Sequence, residues 1–226
     1  MRNTLEKPKV VVIGASGHAK VIIDIIERQN LYTIVGLLDS YKPKGFKVFD
    51  YEVIGSETMI PELLDKKQIE GGIIAIGDNG IRISMANKIA TLSPDFIYIS
   101  AIHPLAAIGK NVVIGEGTVV VAGAIINTST IIKKHVIINT KASIGHDCTL
   151  DDFVSIAPGA TIGGNVIIQY GAIIALGSNV LGNCTIGKHA LIGSGAVVTK
   201  NVPDNTVVYG IPANKVKMRK EGDPYL

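Results

Sequence analysis

His146 and Asp147 stand side by side in the run NTKASIGHDC, and Gly164 lies eighteen residues beyond the histidine. An imidazole titrates near working pH, and a neighbouring carboxylate can favour its basic role. The pair therefore has the composition of a general base. A solvated surface histidine is the competing reading, and residue types alone leave both open. A second group lies near the start of the chain. Gly14-Ala15-Ser16-Gly17-His18-Ala19 follows an apolar run and opens a helical one. At a strand–helix junction of this kind, backbone N–H groups and the helix N-terminus face outward and favour an anion such as a phosphate. The motif departs from G-x-G-x-x-G at Ser16 and Ala19, so a plain tight turn also fits. Asp39 ends a second apolar run, where a carboxylate accepts ribose hydroxyls or caps a turn, and Gly77 ends a third.

Other chemistry-bearing residues point elsewhere. His135 and His189 have no adjacent acid and read as solvent-facing or interfacial. His103 precedes Pro104 and reads as structural. His135, His146 and His189 are 11 and 43 residues apart, a spacing that gives zinc no converging ligand set, so no metal is expected. Cys148 and Cys184 read as core fillers rather than nucleophiles.

The elements that must position these residues are legible from periodicity. From Ile102 to Val198 every sixth residue is Ile, Val or Leu, without a slip. A small or β-branched residue follows four places after each. All 14 glycines of this stretch fall one, two or three places after a periodic aliphatic, which marks those places as turns. A six-residue period with alternating inward and outward positions is that of a parallel β-helix, three rungs to an 18-residue coil, with coils ~4.8 Å apart. His146 then lies on a prism corner and Gly164 leaves open space beside it. One outward column, Val119, Ile137, Ser155, Ile173 and Leu191, would be apolar and exposed in a monomer, which predicts a subunit interface and a trimer. Residues 8–100 differ. Strands are expected at PKVVVIG, YTIVGLLD, GGIIAIGD and DFIYIS, with helices between them, giving a small parallel α/β domain. It is too short for a complete dinucleotide fold. The division expected is a Rossmann-like domain at 1–100, a β-helix at 101–203, and a cap with a basic tail at 204–226.

Composition excludes several classes. The net charge is +3, with no basic helix and no aromatic–basic interleaving, which argues against nucleic acid. No apolar run reaches ~18 residues, and the N-terminal run MRNTLEKPKV has no apolar signal segment, so a soluble cytoplasmic protein is expected.

Taken together, GASGHAKVIIDII, AIGDNGIR, the unbroken hexapeptide coil with NTKASIGHDC, and the VYGIPA cap resemble the bacterial sugar acyltransferases. These include N-acetyltransferases of nucleotide-linked 4-amino-sugars and sialic acid O-acetyltransferases. The resemblance spans about residues 8–214. It implies a left-handed β-helix, a homotrimer, and acetyl-CoA bound between neighbouring prisms. Under it His146 is the general base and Asp147 the acid that raises its basicity. Ser16, Gly17, His18, Asp39, Ser40, Gly77, Asn79 and Arg82 belong to the nucleotide-sugar side. Ser40 departs from the family, where an Asp is common. Asn139, Ser155, Gly164, Leu176 and Ser194 line the coenzyme path. The implied reaction is direct acetyl transfer to a sugar amine. O-acetylation, or a non-catalytic nucleotide-sugar-binding solenoid, are the alternatives.

Overall fold

From Asn111 to Gly195 every sixth residue has a left-handed backbone, with φ between 53° and 72°. This is the third turn place, and the lattice imposes it even on Phe153, an aromatic residue that rarely adopts it. Glycines at the first turn place serve a different end. A Cβ on Gly145 would come within 2.5 Å of the Gly163 backbone in the next coil. The turn glycines thus have two separate causes, left-handed φ and close stacking of coils.

The computed structural model describes residues 6–220 and 222–223. Between the turns lie two-residue strands that pair in parallel with the strands eighteen residues before and after, as in Ile125–Ser143–Thr161. They form three sheets, the faces of a prism. The docked face carries the strands beginning at Ala101, Val119, Ile137, Ser155, Ile173 and Leu191. The second begins at Ala107 and the third at Val113. Inward aliphatics and small residues fill the prism as one continuous core. Where an inward residue is polar, its hydrogen goes to the chain. Thr118 donates to the Lys133 carbonyl, Thr130 to that of Gly145 and Cys148 to that of Gly163, each fifteen residues on, while Ser178 donates to the Ala175 carbonyl three residues back. Both cysteines are free and buried, as fillers should be. Thr206–Tyr209 continues the docked face, and Asn214–Met218 folds back along it.

The N-terminal domain is a five-stranded sheet with helices. Its elements are β1 (Lys9–Ile13), α1 (Gly17–Gln29), β2 (Thr33–Leu38), β3 (Lys47–Val48), β4 (Tyr51–Gly55), α2 (Ile60–Asp65), β5 (Gly71–Ile74) and α3 (Asn79–Leu92), with strand order β3-β4-β2-β1-β5. One expected strand is corrected and an unexpected pair of strands is added. DFIYIS gives only an isolated bridge, Gly72 to Tyr98. The turn-rich segment before Ser56 instead supplies the hairpin β3–β4, which extends the sheet beside β2. Among the described residues no helix is long and apolar enough to cross a membrane.

The column expected to face another subunit is covered within the chain. Val119 and Ile137 share a core cluster with the α1 isoleucines, and Ile173 and Leu191 close on Val207. Sequence periodicity identifies an outward column but not which neighbour covers it. Exposed outward aliphatics lie instead at Val113, Ile131 and Ile167 on the third face and Ile125 on the second.

His135 is also corrected, from a surface position to the interior. It stacks on Phe153 at 4.8 Å and meets Tyr98 edge-on, beneath the N-terminal domain. Burial, and after it the Arg82 guanidinium, lowers its pKa to about 4. A group with a folded pKa below its unfolded value binds a proton more readily when unfolded. Stability is therefore full above pH ~6.5 and falls as the pH drops toward 4, by on the order of 3 kcal/mol from this group. His135→Asn, which tolerates the left-handed backbone, should narrow the gap between urea midpoints measured at pH 7 and pH 4.5.

Candidate functional site

The Gly14–Ala19 loop carries the chain from the carboxyl end of β1 into α1, and a cavity opens on each side of it. Ser16 is the N-cap of α1 but makes no side-chain cap, and the first turn holds no acid. The helix N-terminus and its free N–H groups thus remain available to an anion.

The first cavity, of about 350 Å³, is bounded by Gly14, Ser16, Asp39, Ser40, Glu57 and Lys88. Asp39 organises it. One carboxylate oxygen accepts from the Ala15 N–H at 2.8 Å, the other from the N–H groups of Tyr41 and Lys42. Most of its accepting capacity is therefore spent holding the loop to the turn after β2, leaving less for a ribose than the sequence suggested. Ser40 donates to the Glu57 carboxylate, which also pairs with Lys88. Burial works against that carboxylate, yet Lys88 and Ser40 outweigh it and hold its pKa below the usual range. Glu57 and Lys88 had no signal in the sequence, because they join Ser40 only when α3 packs beside the turn before α2.

The second cavity, of about 430 Å³, lies between the domain and the coil. His18, Gly77 and Asp78 form one wall, and Asn139, Ser155, Pro158 and Leu176 are on the other. Burial, and next the Arg82 charge, keeps His18 neutral with a pKa of about 4, and its Nε2 is buried without a partner. Ser194 is exposed one coil beyond Leu176 on the same corner. Three of the expected site residues have their polar groups engaged within the protein. Arg82 is 1% exposed and Asn79 5%, and their polar groups are engaged with each other, with loop and coil carbonyls and with Ser155. The Ser155 hydroxyl donates to Asn79 and accepts from Arg82, so Ser155 borders the cavity with its only donor already used.

His146 lies on a different corner, between the second and third faces, and borders neither cavity. Its Nδ1 is 2.7 Å from Asp147 Oδ2, despite the short aspartate side chain. The left-handed backbone of Asp147, φ 56°, is the conformation at which that contact is made. A carboxylate at Nδ1 favours the tautomer with a proton there, leaving the Nε2 lone pair free. Nε2 faces Gly164, where a Cβ would come within 2.7 Å. The chain thus carries two separated groups of expected site residues: His146, Asp147 and Gly164 on one corner, and His18, Gly77, Asn139, Leu176 and Ser194 on another. Gly164→Ala meets no φ barrier but displaces the ring, so with the ring as the expected general base it should lower turnover ~10-fold or more, since a positioned base contributes ~10²–10⁴-fold. Thermal melting should move by no more than a few degrees, and turnover as fast as the parent's would show that the ring has room to spare.

Comparisons with known proteins agree with this architecture. Residues 9–89 match the PglD N-terminal domain, and residues 141–176 match the bacterial transferase hexapeptide, six repeats. The chain is similar to PerB of Caulobacter crescentus, a perosamine N-acetyltransferase solved with CoA and GDP-perosamine. Identity is 32%, coverage 92% of this chain and 97% of that one, and the TM-score 0.86. It is similar to the acetyltransferase domain of PglB from Neisseria gonorrhoeae, solved with acetyl coenzyme A, at 33% identity, 93% and 100% coverage and a TM-score of 0.84. UDP-N-acetylbacillosamine N-acetyltransferase of Bacillus subtilis is 36% identical over 106 residues. That match spans about half of each protein, 47% of this chain and 48% of the relative. With a PglD-type N-terminal domain docked on a left-handed hexapeptide β-helix, the chain belongs to the family of sugar N-acetyltransferases that includes these proteins.

Proposed function

We propose that this protein moves the acetyl group of acetyl-CoA onto the amino group of a nucleotide-linked 4-amino-4,6-dideoxy sugar, in the making of bacterial surface glycans. The observation that carries the reading is the His146–Asp147 contact. It leaves Nε2 as a free base on an exposed corner whose neighbouring glycine keeps the ring clear. Relatives of about one-third identity that bind CoA and an amino-sugar nucleotide support the substrate class.

Each residue then has a task. The N-terminus of α1, with Ser16 and Gly17, receives the phosphates, and the first cavity takes the nucleoside. Neutral His18 and Asn139 offer uncharged polar contacts in the second cavity. Its apolar wall of Pro158 and Leu176 suits a flexible amide-and-alkyl arm of the coenzyme. Acetyl-CoA supplies the activated acyl group. His146 Nε2 takes the proton that the sugar ammonium must lose before nitrogen can attack the thioester carbon. The C–N bond forms, the C–S bond breaks, and the thiol leaves. A covalent acyl-enzyme is not invoked, since burial of Cys148 and Cys184 raises both thiol pKa values.

Because His146 and the second cavity occupy different corners of one prism, the complete site in this reading needs a second chain. A homotrimer brings His146 of one subunit toward the cavity of the next, and the exposed Val113, Ile131 and Ile167 supply apolar surface for such packing. Thiol release from acetyl-CoA should be rapid with one UDP-, dTDP- or GDP-linked 4-amino sugar. His146→Asn should lower kcat by ~10²–10⁴-fold. Near-normal turnover in that variant removes His146 as the base, and turnover of hydroxyl acceptors alone moves the protein to O-acetylation. Sedimentation should give three chains per particle, and a stable monomer at micromolar concentration would rule out a site shared between chains.

A further inference from the structure

Arg82 is a fully buried guanidinium, and among the described residues no carboxylate stands in its hydrogen-bonding shell. Asp78, the nearest acid in sequence, instead caps α3 by accepting from the Ile81 N–H. Burying such a charge is costly unless every donor is matched. Here every donor is. Nε donates to the His135 carbonyl at 3.1 Å. Nη1 donates to the carbonyls of Ile76 and Gly77 at 3.1 and 2.9 Å. Nη2 reaches Asn79 Oδ1, the Phe153 carbonyl and Ser155 Oγ at 2.9, 3.1 and 3.0 Å. Asn79 in turn donates to the Gly171 carbonyl at 3.1 Å.

The coil residues touched in this way are 135, 153 and 171, eighteen apart. All three are left-handed third-place residues on one corner. Arg82 and Asn79 therefore grip the same carbonyl on three successive coils. A purely apolar contact would hold the domain against a nearly uniform wall at several heights. The carbonyls themselves repeat with every coil and cannot say which coil is the right one. Ser155 can. In its column, Val119, Ile137, Ser155, Ile173 and Leu191, it is the single polar residue, and it both accepts from Arg82 and donates to Asn79 at 2.6 Å. The same guanidinium fixes Ile76, which borders the first cavity, and Gly77, which borders the second.

We propose that Arg82, with Asn79 and keyed by Ser155, is a positioning residue that sets the height of the N-terminal domain on the coil. It thereby sets the reach from the nucleotide cavity to the reacting edge. The functional part of this inference rests on the acetyl-transfer reading, whereas the structural part does not. A slip of one coil would move the nucleotide ~4.8 Å, and misplacement by ~1 Å can already cost ~10²-fold in rate.

The test measures height and turnover separately. Both native thiols are buried, so spin labels at Lys20→Cys on α1 and Asn183→Cys on the coil report the distance between domain and prism, with labelled chains diluted in unlabelled ones. The parent should give one narrow distance. Arg82→Met and the milder Ser155→Val should give a broadened or double distribution. In the same variants kcat for the nucleotide amino-sugar should fall 10- to 100-fold, and in Arg82→Met, whose side chain borders neither cavity, KM for acetyl-CoA should stay put. Their preference for that substrate over the nucleotide-free amino sugar should shrink. Ser155→Val guards against misfolding of the arginine variant. A single narrow distance, unchanged in both variants, overturns the inference. If the parent acetylates neither acceptor, the acetyl-transfer reading fails, and the distance measurement still decides whether Arg82 sets the height.

Discussion

The structure depends on one backbone constraint, the left-handed residue at the third place of each turn from Asn111 to Gly195. It closes each corner of the prism and returns the chain to the next face in step, so that residues eighteen apart fall in hydrogen-bonding register. The inward aliphatics follow from that closure rather than cause it. Their six-residue spacing is what a closed corner requires, and their burial then stabilises the stack. Asp147 illustrates how chemistry uses the same constraint, because its forced backbone conformation sits beside His146 at contact distance.

Much of the coil was legible in the amino-acid order because its interactions are local and repeated. The column of an inward residue is fixed by counting, which is why the two cysteines could be assigned to the interior and the Gly164 position beside His146 recognised. What counting could not supply was any contact between the two halves. Val119 and Ile137 look like part of a free apolar stripe in isolation, and His135 looks like a surface residue, until the N-terminal domain is laid over them. The hairpin β3–β4 was missed for a related reason. Its strands are short and turn-rich, and they exist because β2 offers an edge to pair with.

The candidate site divides along the same line. His146 and Asp147 are neighbours in sequence and were found together. Ser40, Glu57 and Lys88 come from three separate segments and meet only through packing. Asn79 and Arg82 stood out as part of a motif, but the motif does not say whether its polar groups face a ligand or the protein. Their burial shows where those groups go in this structure: to each other, to loop and coil carbonyls and to Ser155.

The lattice also separates what can vary from what cannot. Arg82 and Asn79 hold the coils that bracket His146, from His135 to Gly171, and the second cavity lies at that level. Coils above Leu176 repeat the same cross-section. Length is therefore quantised. Adding or removing a whole eighteen-residue turn in the upper part preserves the face of every residue, whereas a six-residue change rotates everything beyond it by one face. Such a scaffold can grow or shrink during evolution in steps of one coil and leave the working level untouched.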